Sequence, residues 1–132
     1  MRILVVEDEP LIRLFVADTL QDAGFRVEEA ASASEAAAWL VTDAAPLAAA
    51  VIDLGLPDRR GDALAAELRQ TWQGLPIVIA SGHDTTSLSQ YYISDGRVRV
   101  LGKPYSAAML LSALRAMGVD PGVDPNRPGD PA

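Results

Sequence analysis

Five polar side chains in this sequence are of the types that phosphoryl-transfer chemistry uses, and each follows a short apolar run. They are Glu7, Asp8, Asp53, Ser81 and Lys103. Three carboxylates placed close together repel one another, and a hard divalent cation removes that repulsion. Mg²⁺ prefers oxygen ligands and is usually held by one or two carboxylates together with a phosphoryl oxygen. A magnesium ion bound here would let Asp53 approach an anionic phosphoryl donor as a nucleophile.

The hydroxyl and the ammonium group complete this set as contacts for phosphoryl oxygens. Phosphoryl transfer depends mainly on positioning and on charge neutralisation. Mg²⁺, the Ser81 hydroxyl and the Lys103 ammonium could together meet three phosphoryl oxygens. Lys103 is also the only lysine of the chain. The sequence therefore predicts a site that can form an aspartyl phosphate at Asp53.

The order of the apolar runs predicts a doubly wound α/β fold that brings these residues to one edge of a sheet. Strands that alternate with helical patterns are typical of βαβ units and a parallel sheet. Charges interrupt the second and fifth strands, so we expect these two at the edges of a flavodoxin-like sheet of order 2-1-3-4-5, with helices on both faces. The predicted strands are Arg2–Val6, Arg26–Ala30, Ala49–Ile52, Pro76–Ala80 and Val98–Leu101.

Helical patterns fill the connections between these strands and follow the last one. In the first helix, Leu11, Leu14 and Phe15 repeat at helical spacing with other apolar residues. The second has Ser32 or Ser34 as its cap. The fourth is the weakest pattern, because its tyrosines and isoleucine are poor helix formers. The predicted helices run from Pro10 to Gly24, over Ser34–Val41, from Asp62 to before Gly74, over Ser87–Ser94, and from a Ser106 cap to Gly118.

Composition limits the class of protein. The 132 residues are 49% apolar and 22% charged, which is enough for one domain with a buried core. The net charge of −7 argues against a nucleic-acid partner. No apolar run approaches the roughly 20 residues that cross a bilayer, and the absence of cysteine excludes thiolate metal sites. We expect a cytoplasmic protein in which residues 1–117 fold and the Pro-, Gly- and Asp-rich residues 118–132 form a disordered tail.

The motifs at the strand ends resemble those of bacterial response-regulator receiver domains. They are Val5–Pro10, Val51–Pro57 with Gly61, Ala80-Ser81 and Lys103-Pro104-Tyr105. The resemblance covers nearly the whole chain before the predicted tail. It implies that Asp53 accepts a phosphoryl group from a phosphohistidine on a sensor histidine kinase or a histidine phosphotransfer protein.

This resemblance also implies a set of magnesium ligands. Asp8, Asp53 and the main-chain carbonyl of Gly55 would bind Mg²⁺ together. Glu7 would bind the ion either directly or through a water molecule. The cation expected at this site is therefore Mg²⁺, and its ligands come from the ends of two different strands.

The remaining family positions carry the phosphoryl contacts and the output. Ser81 and Lys103 would contact phosphoryl oxygens, and the bond between Lys103 and Pro104 would be a cis peptide. We expect this chain to be a stand-alone phosphorelay switch rather than an enzyme. It would act on a downstream protein through the face formed by the fourth helix, the fifth strand and the fifth helix.

Each of these side chains also has a purely structural explanation. The acidic run Glu7–Glu9 would suit a helix N-terminus, and Asp53 could be only a polar strand end before a turn. Ser81 before a glycine is common in turns, and Lys103 could be a solvated loop residue. The functional interpretation depends on their occurrence together at the same edge of the sheet.

One position departs from the family pattern and leaves other functions open. Val100 lies where most receivers carry an aromatic side chain whose rotamer reports phosphorylation, and a β-branched side chain cannot swing in that way. The alternatives are a phosphorylation-independent receiver-like interaction module and a fragment of a larger hybrid kinase or regulator. A dehalogenase-like phosphatase would need a second acid where Gly55 lies. A flavin carrier would need a phosphate-binding loop where Glu7–Glu9 would repel phosphate.

His83 lies two residues after Ser81, near the path expected for hydrolytic water. Gly55 offers no side chain to shield a phosphoryl group, and we hypothesise that His83 partly replaces that shield. The variant His83→Ala is then expected to shorten the half-life of phosphorylated Asp53, followed as loss of the phosphoryl group with time. An unchanged half-life would exclude His83 as a gate.

Overall fold

A computed structural model describes residues 1–42, 46–82 and 85–121, and these form one parallel sheet with helices on both faces. The strand order is β2-β1-β3-β4-β5, which confirms the predicted flavodoxin-like topology. Among the described residues no helix has the length and hydropathy that a bilayer span requires. The strands are β1 (Arg2–Val6), β2 (Arg26–Ala30), β3 (Ala49–Asp53), β4 (Ile77–Ser81) and β5 (Val98–Gly102), and the helices are α1 (Pro10–Asp22), α2 (Ala33–Thr42), α3 (Gly61–Thr71), α4 (Thr85–Tyr91) and α5 (Ala107–Ala116).

Side-chain alternation along the strands divides the core between the two faces of the sheet. Leu4 and Val6 of β1 pack in the cluster that contains α2 and α3 side chains. Ile3 and Val5 pack on the other face with α1 and α5 side chains. The strands β1, β3 and β4, which carry charge only at a terminal residue or not at all, are buried along nearly their whole length, whereas β2 and β5 are partly exposed. The charges in β2 and β5 therefore identified the sheet edges correctly.

Helix α1 buries only part of its apolar surface. Its N-terminal Pro10 and the Gly24 that follows it, at φ +104°, fit the predicted ends. Val16 is buried, but Leu11 is 75% exposed and Phe15 is also exposed. The apolar stripe of α1 is wider than the face that the sheet covers. An apolar patch therefore remains in solvent near the beginning of this helix.

Helix α2 begins one residue earlier than predicted. It starts at Ala33 rather than at Ser34, and the Ser32 hydroxyl accepts a hydrogen bond of 3.1 Å from the Glu35 N–H. Ser32 is thus the cap, and a glutamate three residues later is typical of helix N-termini. The competing cap, Ser34, instead donates its hydroxyl to Asp58 at 2.7 Å.

Helix α4 spans Thr85–Tyr91 instead of the predicted Ser87–Ser94. The chain leaves the helix by turns in which Ile93 donates to the carbonyl of Gln90 and Asp95 donates to that of Tyr92. The aromatic and β-branched residues that weakened the prediction therefore lie at and beyond the helix end, where their low helix propensity has no cost. No residue of α4 is buried.

The beginning of the predicted disordered tail is ordered. Gly118, at φ +82°, ends α5 and donates to the Arg115 carbonyl at 2.9 Å, and Val119 donates to the Leu114 carbonyl at 2.9 Å. This pair of bonds closes the helix end and places Val119 in the core, 4% exposed. The expected domain boundary after Met117 is therefore wrong for residues 118–121. The rest of that predicted tail, residues 122–132, lies outside the described part of the chain.

The loop after β3 is fastened to α2 by a single carboxylate. Asp58 accepts hydrogen bonds from the Ala33 N–H at 3.0 Å and from the Ser34 N–H at 2.8 Å. The bonds from the Ser34 hydroxyl and N–H lower the pKa of Asp58 from its ordinary value of 3.8 to about 2. This carboxylate fixes the chain between the end of β3 and the start of α3.

Asp58→Asn tests the contribution of this carboxylate to stability. A lowered folded-state pKa means that the ionised group stabilises the fold above about pH 3.8 and that this contribution is lost as the pH falls toward about 2. The variant is expected to unfold at lower urea concentration than the parent at pH 7, with the difference shrinking between pH 4 and pH 2. Asp18→Asn, at an exposed α1 carboxylate, is the matched control and should show no such pH-dependent difference.

Candidate functional site

The register of the sheet places two acidic residues side by side. Val6 of β1 pairs with Ile52 of β3. The residues that follow them, Glu7 and Asp53, therefore leave adjacent strands at the same edge. The strands β1 and β3 pair with each other and are buried along nearly their whole length, so the position of both carboxyl groups is set by the core of the sheet. The predicted convergence of strand ends is observed for these two residues.

The carboxylates of Glu7, Asp8 and Asp53 form one cluster. Each residue offers an oxygen, and these oxygens all lie within 4.8 Å of one another. Glu7 and Asp53 are only 4% and 7% exposed, whereas Asp8 is exposed to solvent. The Oε2 atom of Glu7 is buried without a hydrogen-bond partner among the described residues. A buried carboxylate oxygen of this kind calls for a cation, and the all-oxygen donor set fits Mg²⁺.

Lys103 balances part of this negative charge. Its Nζ lies 3.0 Å from Oε1 of Glu7 and 3.0 Å from Oδ1 of Asp53. Burial opposes the charged form, but the interactions with Asp53 and Glu7 outweigh it and raise the pKa of Lys103, which keeps it an ammonium group. The bond between Lys103 and Pro104 is cis, as the family resemblance implied.

The two buried carboxyl groups have opposite pKa shifts. Burial, with the nearby Asp53 carboxylate adding to it, raises the pKa of Glu7 to about 7. Burial also acts to raise the pKa of Asp53, but the interactions with Glu7 and Lys103 hold it below its ordinary value. Asp53 is therefore ionised at neutral pH, while Glu7 is only partly ionised there. The residue predicted to be the nucleophile is the one in its nucleophilic form.

The predicted phosphoryl contacts surround an open groove next to Asp53. This groove has a volume of about 800 Å³ and is lined by Asp53, Gly55, Ser81 and Lys103 among others. Ser81 is buried, and its main-chain carbonyl accepts the Lys103 N–H at 2.8 Å, which ties the ends of β4 and β5 together. Gly55 donates its N–H to Oδ1 of Asp53 at 3.2 Å. Its carbonyl as a metal ligand stays a prediction, and His83 lies outside the described residues.

Sequence reasoning missed two charged residues of this groove. Arg60 and Asp62 line the same cavity as Asp53. It also missed Arg13, whose guanidinium donates to the main-chain oxygen of Glu7 at 2.8 Å. Arg60 stands beside Gly61 in the loop that follows Asp53, but this place in the sequence does not tell where its side chain lies. No motif or spacing identifies such a residue, because its role depends on where the side chain turns.

Gly61 allows the start of α3 to lie against the main chain of Asp53. A Cβ at this position would lie 2.2 Å from the Asp53 carbonyl oxygen and 2.9 Å from Cγ2 of Ile52. The Gly61 N–H donates to the Leu54 carbonyl at 2.8 Å, which fixes this approach. The motif glycine is therefore required by space and not by its φ angle.

The sequence profile of the response regulator receiver domain matches residues 3–115. The chain belongs to this family. Receiver domains are the signalling modules of two-component systems, and the acidic cluster, Ser81 and the lysine lie at the strand ends where the family resemblance placed them. The predicted family and fold are both confirmed.

Known proteins agree with this assignment. The transcriptional regulatory protein PhoP of Escherichia coli is 32% identical over 117 residues, which are 89% of this chain and 52% of PhoP. The chain thus spans about half the length of the curated relatives it matches. The chemotaxis response regulator CheY4 of Vibrio cholerae superposes with a TM-score of 0.76 at 29% identity, over 88% of this chain and 97% of that one. A sensor protein from a Polaromonas species gives 0.73 at 32% identity, over 89% and 95%.

Gly61→Ala is expected to disturb both the fold and the position of Asp53. The added methyl group would overlap a main-chain oxygen, and such overpacking typically costs about 1–3 kcal/mol of unfolding free energy. Gly55→Ala is the matched control, because nothing lies within 4 Å of a Cβ there, and it should change stability by less than about 0.5 kcal/mol. Urea unfolding of both variants measures this; equal stabilities would contradict the close approach of α3.

Proposed function

We propose that this receiver is a phosphoacceptor switch in which Asp53 takes a phosphoryl group from a phosphohistidine on a sensor histidine kinase or a histidine phosphotransfer protein. The observation that carries the proposal is the acidic notch at the edge of the sheet, which is formed by Glu7, Asp8, Asp53 and Lys103. Asp53 is buried, ionised and 3.0 Å from the Lys103 ammonium, with two further carboxylates in the same cluster. Such an arrangement suits an attacking carboxylate better than a structural ion pair, because the three acids outnumber the one ammonium.

Each residue of the notch has a definite task in this transfer. An oxygen of Asp53 attacks phosphorus while the bond from phosphorus to the donor's imidazole nitrogen breaks, and the electron pair leaves with that nitrogen. Lys103 would compensate the charge of a phosphoryl oxygen, and the Ser81 hydroxyl would contact a second. Mg²⁺, held by Glu7, Asp8, Asp53 and the Gly55 carbonyl, would supply the remaining charge neutralisation. The domain's own chemistry is then limited to accepting and slowly losing one phosphoryl group, as a switch and not as an enzyme.

The phosphodonor would approach across the beginning of α1. A groove of about 460 Å³ joins the apolar patch of that helix to the notch, and it is lined by Leu11, Ile12, Phe15, Lys103, Pro104 and Tyr105. Phe15 and Tyr105 have ring centroids 6.4 Å apart, so the patch is continuous across the two segments. Any protein that brings a phosphohistidine to Asp53 must contact this rim. Its exposed apolar surface suits helices of a kinase or phosphotransfer protein in the cytoplasm.

A downstream protein would bind to the face formed by α4, β5 and α5. Tyr91 and Ile93 are exposed at the end of α4 and just beyond it, and Met109 is exposed on α5. Since α4 buries no residue, a shift of this helix loses few packing interactions. Phosphorylation of Asp53 would bias that equilibrium and so change the affinity for a downstream protein. PhoP is named as a transcriptional regulator, but the match covers only about half of PhoP.

Phosphorylation by a small acyl phosphate tests the proposal. We expect the protein with Mg²⁺ and acetyl phosphate to gain one phosphoryl group by mass spectrometry, and to gain none after chelation of Mg²⁺. Asp53→Asn removes the nucleophile and should abolish the gain, whereas Asp18→Asn, an exposed acid on α1, should leave it unchanged. A parent protein that is never labelled would favour the phosphorylation-independent interaction module instead. Labelling that survives in Asp53→Asn would mean that the acceptor is another residue.

A further inference from the structure

A second cation lies in the groove around Asp53. Arg60 lines this groove, and its side chain is 66% exposed. It directly precedes Gly61, whose Cα lies against the Asp53 carbonyl. Arg60 and Asp53 therefore border the same groove. Among the described residues that line the groove, Arg60 and Lys103 are the two cations.

The side chains of Lys103 and Arg60 differ in their ion-pair partners and in their exposure to solvent. Lys103 is mostly buried and contacts both Glu7 and Asp53. Arg60 is paired with Asp62, with its Nε 3.2 Å from Oδ1 and its Nη2 3.1 Å from Oδ2. An ion pair this exposed contributes little to stability and can exchange at low cost. Lys103 is thus held in place by two carboxylates, whereas the guanidinium of Arg60 can leave Asp62 and bind another anion.

Arg60 has no capping role that would explain its position. It occupies the N-cap position of α3, where Ser, Thr, Asp or Asn normally bonds the first N–H groups, yet its side chain makes no cap hydrogen bond. Its neighbour Arg59 bonds Glu67 at 2.6 Å and does not line the groove. A planar guanidinium beside an anion-accepting site matches the geometry of phosphate oxygens.

The negative charge of the whole chain explains why an arginine in this groove would assist a phosphodonor. The net charge is −7, and the notch concentrates three of its carboxylates. A doubly charged phosphodonor is therefore repelled as it approaches Asp53. An arginine at the groove rim offsets that repulsion for the donor, while Asp62 competes for the same guanidinium.

We propose that Arg60 is a positioning residue for the phosphodonor: it exchanges Asp62 for a non-bridging oxygen of the donor and aligns the phosphorus with Asp53. The inference rests on the proposed function. With acetyl phosphate, an Asp53 oxygen forms the new bond to phosphorus while the bond from phosphorus to the acetyl oxygen breaks, and acetate leaves with the electron pair. Arg60 keeps its contact with a phosphoryl oxygen during this step and gains or loses no proton.

The test compares phosphorylation kinetics of the full chain at saturating Mg²⁺ over a range of acetyl phosphate concentrations. Arg60→Gln is expected to lower the second-order rate constant about fivefold to tenfold through weaker donor binding, because a charge-assisted hydrogen bond is lost. Arg60→Lys should restore part of the loss. Arg59→Gln makes the same change in net charge outside the groove and should match the parent. Asp62→Asn, which frees the guanidinium, should raise the rate constant a few-fold.

Binding of beryllofluoride, a phosphoryl analogue that undergoes no transfer, gives a second readout. Calorimetry with Mg²⁺ present should show weaker binding by Arg60→Gln and tighter binding by Asp62→Asn, with Arg59→Gln unchanged. If Arg60→Gln and Arg59→Gln behave alike in both experiments, or if Asp62→Asn slows phosphorylation, the role of Arg60 is wrong. Both results presuppose that the parent is labelled at Asp53; a parent that is not labelled overturns the proposed function itself.

Discussion

The structure depends on an imbalance of charge at one end of a parallel sheet. Two carboxyl groups, Glu7 and Asp53, are buried beside a third, exposed one, and a single ammonium group faces them. Removing carboxylates from water is costly unless their charge is compensated. The fold does so in two ways, by the ion pairs of Lys103 and by leaving Glu7 only partly ionised near neutral pH. What remains is a site that gains stability from a cation and keeps one carboxylate ionised.

The scaffold around this imbalance is rigid where position matters. The register of buried strands fixes Glu7 and Asp53, and Gly61 lets α3 lie against the main chain of Asp53. Asp58 then holds the loop between them to the N-terminus of α2. In contrast, α4 on the other side of the groove buries no side chain. A stiff acceptor site beside a loosely packed helix is the combination that a phosphorylation switch needs.

Most of the fold and the principal site could be predicted because strand ends of a parallel sheet converge. Placing Asp53 and Lys103 at the ends of β3 and β5 required only the apolar pattern and the family motifs. The apolar pattern was less informative where contacts between residues far apart in the sequence decide the local structure. Ser32 rather than Ser34 caps α2, because the Ser34 hydroxyl donates its hydrogen bond to Asp58. The groove position of Arg60 follows from packing of α3 on β3, which no local sequence signal reports.

In the proposed function, Val100 leaves α4 as the element that would carry the conformational signal. Val100 in β5 is a half-buried β-branched residue without a ring, so β5 cannot report phosphorylation by moving a ring at this position. Tyr91 at the end of α4 lines the groove around Asp53 and also the neighbouring groove between α3 and α4. Its ring meets Tyr92 edge to face with centroids 4.8 Å apart. Because one side chain borders both grooves, a shift of α4 that alters the first must also reshape the second, where a partner can detect it.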